Sequence, residues 1–183
     1  MKKQIRIVNF LELNEDKFKK IREYRNQDYI RNVSFNTKEI SEEEHNNYKK
    51  LLEQKDIYFA YLITCNEKDY GVISLKKIND DTYFIGDYLV DEIYQYEGGG
   101  IVNRICISYL SSKLGIKFLK SIQKKTNKRS NRAGGVKTVG IKSFDDNFNS
   151  ILVSVDEFNS PETLNSKPRI LFDKLYEIRD FIP

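Results

Sequence analysis

The sequence predicts a mixed α/β domain in which a central, mostly antiparallel sheet carries helices on both faces. Three observations lead there. Three strand-like runs are joined by short polar turns, which makes an antiparallel meander. A fourth run passes through a glycine cluster into a helix and another strand, which makes a parallel crossover. The 183 residues are 39% hydrophobic, with 12 Tyr, 11 Phe and no Trp, enough for one core and too few residues for two comfortable domains. One domain over 1–183 is therefore expected.

The elements follow in order. Gln4 to Phe10 alternates apolar and polar residues and reads as a strand. Glu15 to Arg25 carries Phe18 and Ile21 at helical spacing. A second helix opens at Ser41, where Ser41 and Glu44 form a capping box, and runs to about Gln54. The meander comprises Ile57 to Thr64, Tyr70 to Ile78 and Thr82 to Val90, with polar turns at Asn66–Asp69 and Asn79–Asp81. Gly98-Gly99-Gly100 then opens a helix with Val102, Ile105, Cys106, Tyr109 and Leu110 on one face, and Gly115 ends it. Ile116 to Gln123 reads as a strand. The basic segment Lys124 to Lys137 reads as partly helical. Val139 to Phe144 and Ile151 to Phe158 form a last hairpin around Asp145-Asp146-Asn147. Ser160 to Pro183 holds one more amphipathic helix with Ile170, Leu171, Leu175 and Ile178. The order is β–α–α–β–β–β–α–β–α–β–β–α.

Composition narrows the function classes. The net charge of +4 demands neither nucleic acid nor an anionic membrane, and suits phosphorylated small molecules equally well. Cys65, Cys106 and His45 have no zinc-ligand spacing, so no metal is expected, and the two thiols read as buried. No stretch approaches the roughly 18 apolar residues of a membrane span. Arg6, Asn9 and Glu12 interrupt any signal-peptide core. A cytoplasmic protein is expected.

Chemistry concentrates in Gly86 to Ile105. A strand runs into a triple glycine that opens a helix. Such a backbone can turn tightly and present its free N–H groups to an anion such as pyrophosphate. A P-loop is excluded, because Ile101-Val102 stand where Lys and Ser/Thr are needed. A dinucleotide fingerprint is excluded as well, because the antiparallel meander comes first.

Gln95-Tyr96-Glu97-Gly98-Gly99-Gly100 resembles the Q/R-x-x-G-x-G/A signature of the GNAT acyltransferases, and the element order matches that family along most of the chain. The resemblance implies a three-layer αβα sandwich and acetyl-CoA as co-substrate. It assigns the coenzyme to Leu89 and Val90 at the strand end, to Gln95, Gly98, Gly99 and Gly100, and to Asn127 beyond the next strand. A backbone N–H near Leu89 or Val90 would polarise the thioester carbonyl. Asp87 and Glu92 are the nearest carboxylates for taking the amine proton. Many members of the family carry a Tyr about seven residues after the Asn equivalent to Asn127. Here Gly134 and Gly135 stand there, no Tyr lies between Tyr109 and Tyr176, and Ser130 is the nearest hydroxyl. Asp87 and Ser130 are the catalytic candidates.

EYRNQDYIRN (Glu23–Asn32) and ISEEEHNNY (Ile40–Tyr48) resemble a pattern of nucleotide-linked amino-sugar N-acetyltransferases, such as those of pseudaminic-acid synthesis. By that resemblance Arg25, Asn26, Arg31 and His45 contact the acceptor. The alternative for these residues is a helix-end salt bridge, caps and a packed histidine. The expectation is an acetyl-CoA-dependent N-acetyltransferase of a small-molecule amine, a nucleotide-linked amino sugar. Two other readings stay open: acetylation of a protein N-terminus or a polyamine, and a non-catalytic acyl-CoA-binding module. No nucleic-acid or membrane partner is expected. The oligomeric state stays open, a homodimer included.

Overall fold

A computed structural model describes residues 1–54, 56–127 and 138–182. Eight strands form one sheet in the order β6-β7-β5-β4-β3-β2-β1-β8. β1 (Lys3–Asn9) is followed by α1 (Glu15–Arg25), the short α2 (Asp28–Arg31) and α3 (Glu42–Leu52). The meander is β2 (Tyr58–Cys65), β3 (Lys68–Lys77) and β4 (Thr82–Leu89). Helix α4 (Gly99–Lys113) leads to β5 (Phe118–Lys124), β6 (Gly140–Ser143) and β7 (Phe148–Ser154). The chain closes with α5 (Pro161–Leu164), α6 (Lys167–Leu175) and β8 (Tyr176–Ile182). Among the described residues only β4–β5 and β1–β8 pair in parallel.

Alternation along the strands sorts side chains into two cores, as a period of two requires. Ile5, Ile7, Tyr61, Ile63, Ile73, Leu75 and Ile85 face α4 and α6, and pack on Val102, Cys106, Leu110 and Phe172. Ala60, Leu62, Val72 and Val90 face the other way, against Phe18 and Ile21 of α1 and Leu52 of α3. Side chains of this size each contribute about 1.5–3 kcal/mol when fully buried. The three-layer arrangement is thus the one expected.

Local signals account for the helix starts. Ser41 and Glu44 form the reciprocal capping box at α3, and Asn14 caps α1 through Lys17 N–H. Gly115, with φ +67°, follows the end of α4 in the left-handed conformation and so releases the chain toward β5.

The C-terminus differs from expectation. The helix stops at Leu175, and Tyr176–Ile182 is a strand parallel to β1. Ile170, Leu171 and Leu175, expected to face the core, are 56%, 50% and 41% exposed, and Phe172 is the buried anchor. Ile178 packs on the core from β8. A free edge of β1 offers backbone partners to this segment, and a long-range ladder outweighs a helical spacing of apolar residues.

Candidate active site

The site grows from a mismatch between three strands. β5 stays paired with β7 along its whole length, from Phe118↔Ser154 to Lys124↔Phe148. With β4 it shares only Thr82↔Phe118, Tyr83↔Leu119 and Phe84↔Lys120. Beyond Phe84 the two parallel strands part, and Ile85 to Leu89 line a gap roughly 15 Å long at about 3.3 Å per residue. The register decides which groups face it. The Val90 N–H donates to the Tyr70 carbonyl at 3.0 Å, so β4 residues of that parity bond toward β3. In an antiparallel ladder the alternate residues turn away. Asp87 and Leu89 therefore aim their N–H and C=O groups into the gap. Of the two amides expected to polarise a carbonyl, Val90 is already engaged and Leu89 faces the gap.

The glycine cluster sits at the mouth. Asp91 caps a single turn over Glu92–Gln95 by accepting from Ile93 N–H at 3.0 Å. Gly98 then takes φ +83°, a left-handed backbone that favours glycine, and α4 begins. A Cβ on Gly98 would enter open space, its nearest neighbour being Ile101 Cδ1 at 4.0 Å. A Cβ on Gly99 would lie 2.7 Å from the Tyr94 carbonyl oxygen and 2.9 Å from Leu89 Cδ1. Gly98 thus keeps space free in front of the helix N-terminus, whereas Gly99 lets α4 pack on the end of β4. Gln95 and Gly100, both half-buried, complete the turn.

One face of the gap is roofed by the α1–α2 junction. The Tyr29 hydroxyl donates to the Leu89 carbonyl, and Gln27 Nε2 donates to the Val90 carbonyl at 3.2 Å. On the other lip, Lys124 Nζ donates to the Asn32 carbonyl at 3.1 Å. Helix α2 therefore ties the ends of β4 and β5 together. The following loop is held by Asn26, whose side chain both accepts from Ile40 N–H (2.8 Å) and donates to its carbonyl (2.9 Å). Phe35 packs edge-on against Phe144 and Phe148 of the β6–β7 hairpin.

Beneath this roof lies a layer of tyrosines, Tyr24, Tyr48 and Tyr88, on the α1/α3 face of the sheet. Arg25 lies beside Tyr88. Its Nη2 donates to the Asn36 carbonyl at 2.8 Å, and its buried Nη1 has no hydrogen-bond partner. Among the described residues no carboxylate bridges it. Burial lowers its pKa, offset in part by Tyr88 and reinforced by Arg31. A buried guanidinium short of an acceptor favours an incoming anion.

The remaining expected residues stand as follows. Arg31 is tied to Asp28 and, at 3.2 Å, to Glu39. Asn26, expected to contact the acceptor, bonds through both polar ends to Ile40 and holds the loop. His45 takes the packed arrangement that stood as its alternative. It is 5% exposed, stacked on Phe18 at 4.1 Å, and its Nε2 lies 2.8 Å from the Phe18 carbonyl. That puts it inside the α1–α3 packing, where burial depresses its pKa. Asp87 is exposed on the α4 face, with Asn103 Nδ2 3.4 Å from its carboxylate. Asn127 stands just past β5, its N–H bonded to the Lys124 carbonyl. Ser130, with Arg132, Gly134, Gly135 and Lys137, lies outside the described residues.

Tyr29, Gln27 and Asn103 had no sequence signal. Asn103 is buried in α4 with its Oδ1 unpartnered, and occupies the space a side chain on Gly71 would need. A part-buried ion pair lies nearby. The bulge that skips Tyr70 in the β2–β3 register turns Asp69 toward α1. There its carboxylate accepts from Lys17 Nζ at 2.8 and 2.9 Å and from the Tyr24 hydroxyl at 2.8 Å.

No family model matches the sequence, and no curated protein matches it in sequence. Solved structures do match in fold. The N-acetyltransferase PseH of Campylobacter jejuni in complex with acetyl coenzyme A aligns with a TM-score of 0.59 and 23% identity, covering 82% of this chain and 98% of that one. The spermidine N-acetyltransferase of Vibrio cholerae, in complex with CoA and spermine, aligns at 0.71 with 12% identity, over 86% and 99%. RimL, a ribosomal L7/L12 alpha-N-protein acetyltransferase in complex with coenzyme A, aligns at 0.60 with 17% identity, over 82% and 94%. The chain has the fold of these GNAT N-acetyltransferases.

Proposed function

We propose that this protein transfers an acetyl group from acetyl-CoA to the amine of a small molecule bearing an anionic group, a nucleotide-linked amino sugar. The carrying observation is the parting of β4 and β5 after Phe84, with Leu89 facing the gap and Gly98 leaving space before the N-terminus of α4. The residues fit acetyl-CoA. The N–H groups opening α4 suit its pyrophosphate, and the edge of β4 suits an amide-bearing arm. Its thioester supplies the activated acetyl group.

The protein's own contribution is positional and electrostatic. Leu89 turns its N–H into the gap, where it would meet charge developing on the carbonyl oxygen, and the walls of the gap would hold the two reactants in register. The Arg25 guanidinium, with an unpartnered buried Nη1, supports an acceptor carrying phosphate or carboxylate. A polyamine acceptor would favour a carboxylate in that position.

The test is a thermal-shift titration with acetyl-CoA followed by a thiol-release screen. The screen compares UDP-linked amino sugars with spermine and a peptide N-terminus. Stabilisation by acetyl-CoA together with turnover of an amino-sugar nucleotide supports the proposal. Turnover of spermine or peptide alone replaces the acceptor class, and no stabilisation at millimolar acetyl-CoA removes the whole reading.

A further inference from the structure

The Leu89 N–H that faces the gap belongs to a peptide whose other end, the Tyr88 carbonyl, is met from behind by a buried side chain. Resting on the acyltransferase reading above, we infer that Asn103 is a positioning residue for the transfer. Its amide donates to the Tyr88 carbonyl, and so orients the Leu89 N–H and strengthens it as a donor to the thioester carbonyl.

The register fixes the geometry. Val72 pairs with Tyr88, in the same parity as Tyr70 with Val90, whose N–H bonds to the Tyr70 carbonyl. The Tyr88 carbonyl therefore points toward β3. Across the planar trans peptide the Leu89 N–H points the opposite way, into the gap. Asn103 Nδ2 lies 3.3 Å from the Tyr88 oxygen and 3.4 Å from the Asp87 carboxylate, and the amide carries one hydrogen for each. The Tyr88 oxygen has a second lone pair for Asn103 beside the one that faces Val72.

Packing alone does not call for this arrangement. Asn103 is 1% exposed on a helix whose other buried side chains include Val102, Cys106, Ile107 and Leu110. Its Oδ1 has no hydrogen-bond partner among the described residues. An apolar residue in its place would avoid that desolvation. On the facing strand, Gly71 stands inside β3, where a glycine weakens the strand and marks a close approach. A Cβ on Gly71 would lie 2.3 Å from Asn103 Oδ1. Sheet and helix both forgo apolar packing to seat one amide against the Tyr88 carbonyl.

The chemical consequence follows from the peptide dipole. Hydrogen bonds in series polarise one another, so a donor on the Tyr88 oxygen makes the Leu89 hydrogen more positive. It also stops the peptide plane from tilting as charge builds on the thioester oxygen, and a donor fixed in advance costs no reorganisation at that moment. Asn103 follows Gly99, the first residue of α4, by about one helical turn. The helix whose N-terminus suits the pyrophosphate thus also backs the amide that meets the carbonyl.

The experiment compares the wild-type protein with Asn103→Leu, which keeps the branched shape and removes the N–H groups. The Tyr88 carbonyl still faces Val72 and Asp87 is exposed, so no buried group loses its last partner. The free variant should melt at or above the wild-type Tm. Thiol release is followed at saturating acetyl-CoA and hydroxylamine, a small amine that needs no acceptor subsite. The carbonyl stretch of bound acetyl-CoA, labelled with carbon-13 at that carbon, is read by difference infrared spectroscopy. The expected result is an acetyl-CoA affinity within about twofold of wild type and a kcat lowered about tenfold, short of the roughly 100–1000-fold that loss of a whole oxyanion donor costs. The carbonyl stretch should move toward that of free acetyl-CoA. If the leucine variant does not fold, the same measurements are made on Gly71→Ala/Asn103→Ala. There the new methyl enters space whose three nearest occupants are all Asn103 atoms. A kcat within about threefold of wild type overturns the inference, whatever happens to Tm. So does a lowered kcat with an unmoved carbonyl stretch, which would make Asn103 act through Asp87. Failure of the wild type to bind acetyl-CoA, or to accelerate thiol release, instead removes the underlying acyltransferase reading.

Discussion

Substituting Gly98 and Gly99 separately discriminates a ligand-space glycine from a packing glycine one residue apart. An L-residue at Gly98 must adopt φ +83°, a left-handed conformation costing roughly 1–2 kcal/mol. A Cβ there has Ile101 Cδ1 at 4.0 Å as its nearest non-adjacent neighbour, so the fold survives. For a chain of this length each kcal/mol lowers Tm by about 2–4 °C, and Gly98→Val should melt about 2–8 °C early. Gly99→Ala places a Cβ 2.7 Å from the Tyr94 carbonyl oxygen, an overpacking cost of about 1–3 kcal/mol. The variants separate when ligand is added. At acetyl-CoA a hundredfold above the wild-type Kd, binding adds about 2.7 kcal/mol, or about 5–11 °C in Tm. If valine at Gly98 intrudes on the pyrophosphate and weakens binding a hundredfold, the ligand term falls to about 0.4 kcal/mol, an increment of about 1 °C. Gly99→Ala should lose stability yet keep a larger fraction of the ligand shift. The assay is differential scanning fluorimetry with and without acetyl-CoA. A full ligand shift in Gly98→Val would refute the assignment of that space to the coenzyme.

Arg25→Ala should raise the acceptor KM about tenfold or more, the loss of a charge-assisted contact of about 1.5–3 kcal/mol, and leave acetyl-CoA affinity unchanged in steady-state kinetics. Arg31→Ala should move the acceptor KM less, because Asp28 and Glu39 already engage its guanidinium; a larger effect than Arg25→Ala would reverse their roles. Asp69→Asn should lower stability in urea melts by about 1–2 kcal/mol. That is below the 3–5 kcal/mol of a fully buried pair, since Lys17 is 36% exposed and partly screened. His45 has a folded pKa depressed by burial below its unfolded value. Its contribution is present above about pH 6.5 and is lost as pH falls toward the folded pKa, so Tm should decline between pH 7 and 5, and His45→Phe should flatten that slope.

Most elements were legible because their causes are local. Ser41 and Glu44 cap α3 within one turn, the polar turns close the meander within a few residues, and the Gly98–Gly100 cluster marks the start of α4. The same locality misled at Tyr176–Ile182. There the apolar spacing continues a helix, and only the free edge of β1 makes a strand. His45 reads equally as ligand or packed ring until Phe18 is placed against it.

The sequence by itself determined the layered mixed fold, the glycine-rich turn from strand to helix, and the class of chemistry that such a turn suits. Those features depend on side-chain period, caps and backbone conformations set within a few residues. The tertiary structure alone decided where β5 leaves β4, which of Leu89 and Val90 presents its amide to the gap, and that Tyr29 reaches the Leu89 carbonyl from 60 residues away. Among the described residues it also left Arg25 without a carboxylate while giving Arg31 two. Each of these is a competition for one hydrogen-bonding partner among groups distant in sequence, and such a competition is resolved only when the strands and helices have packed.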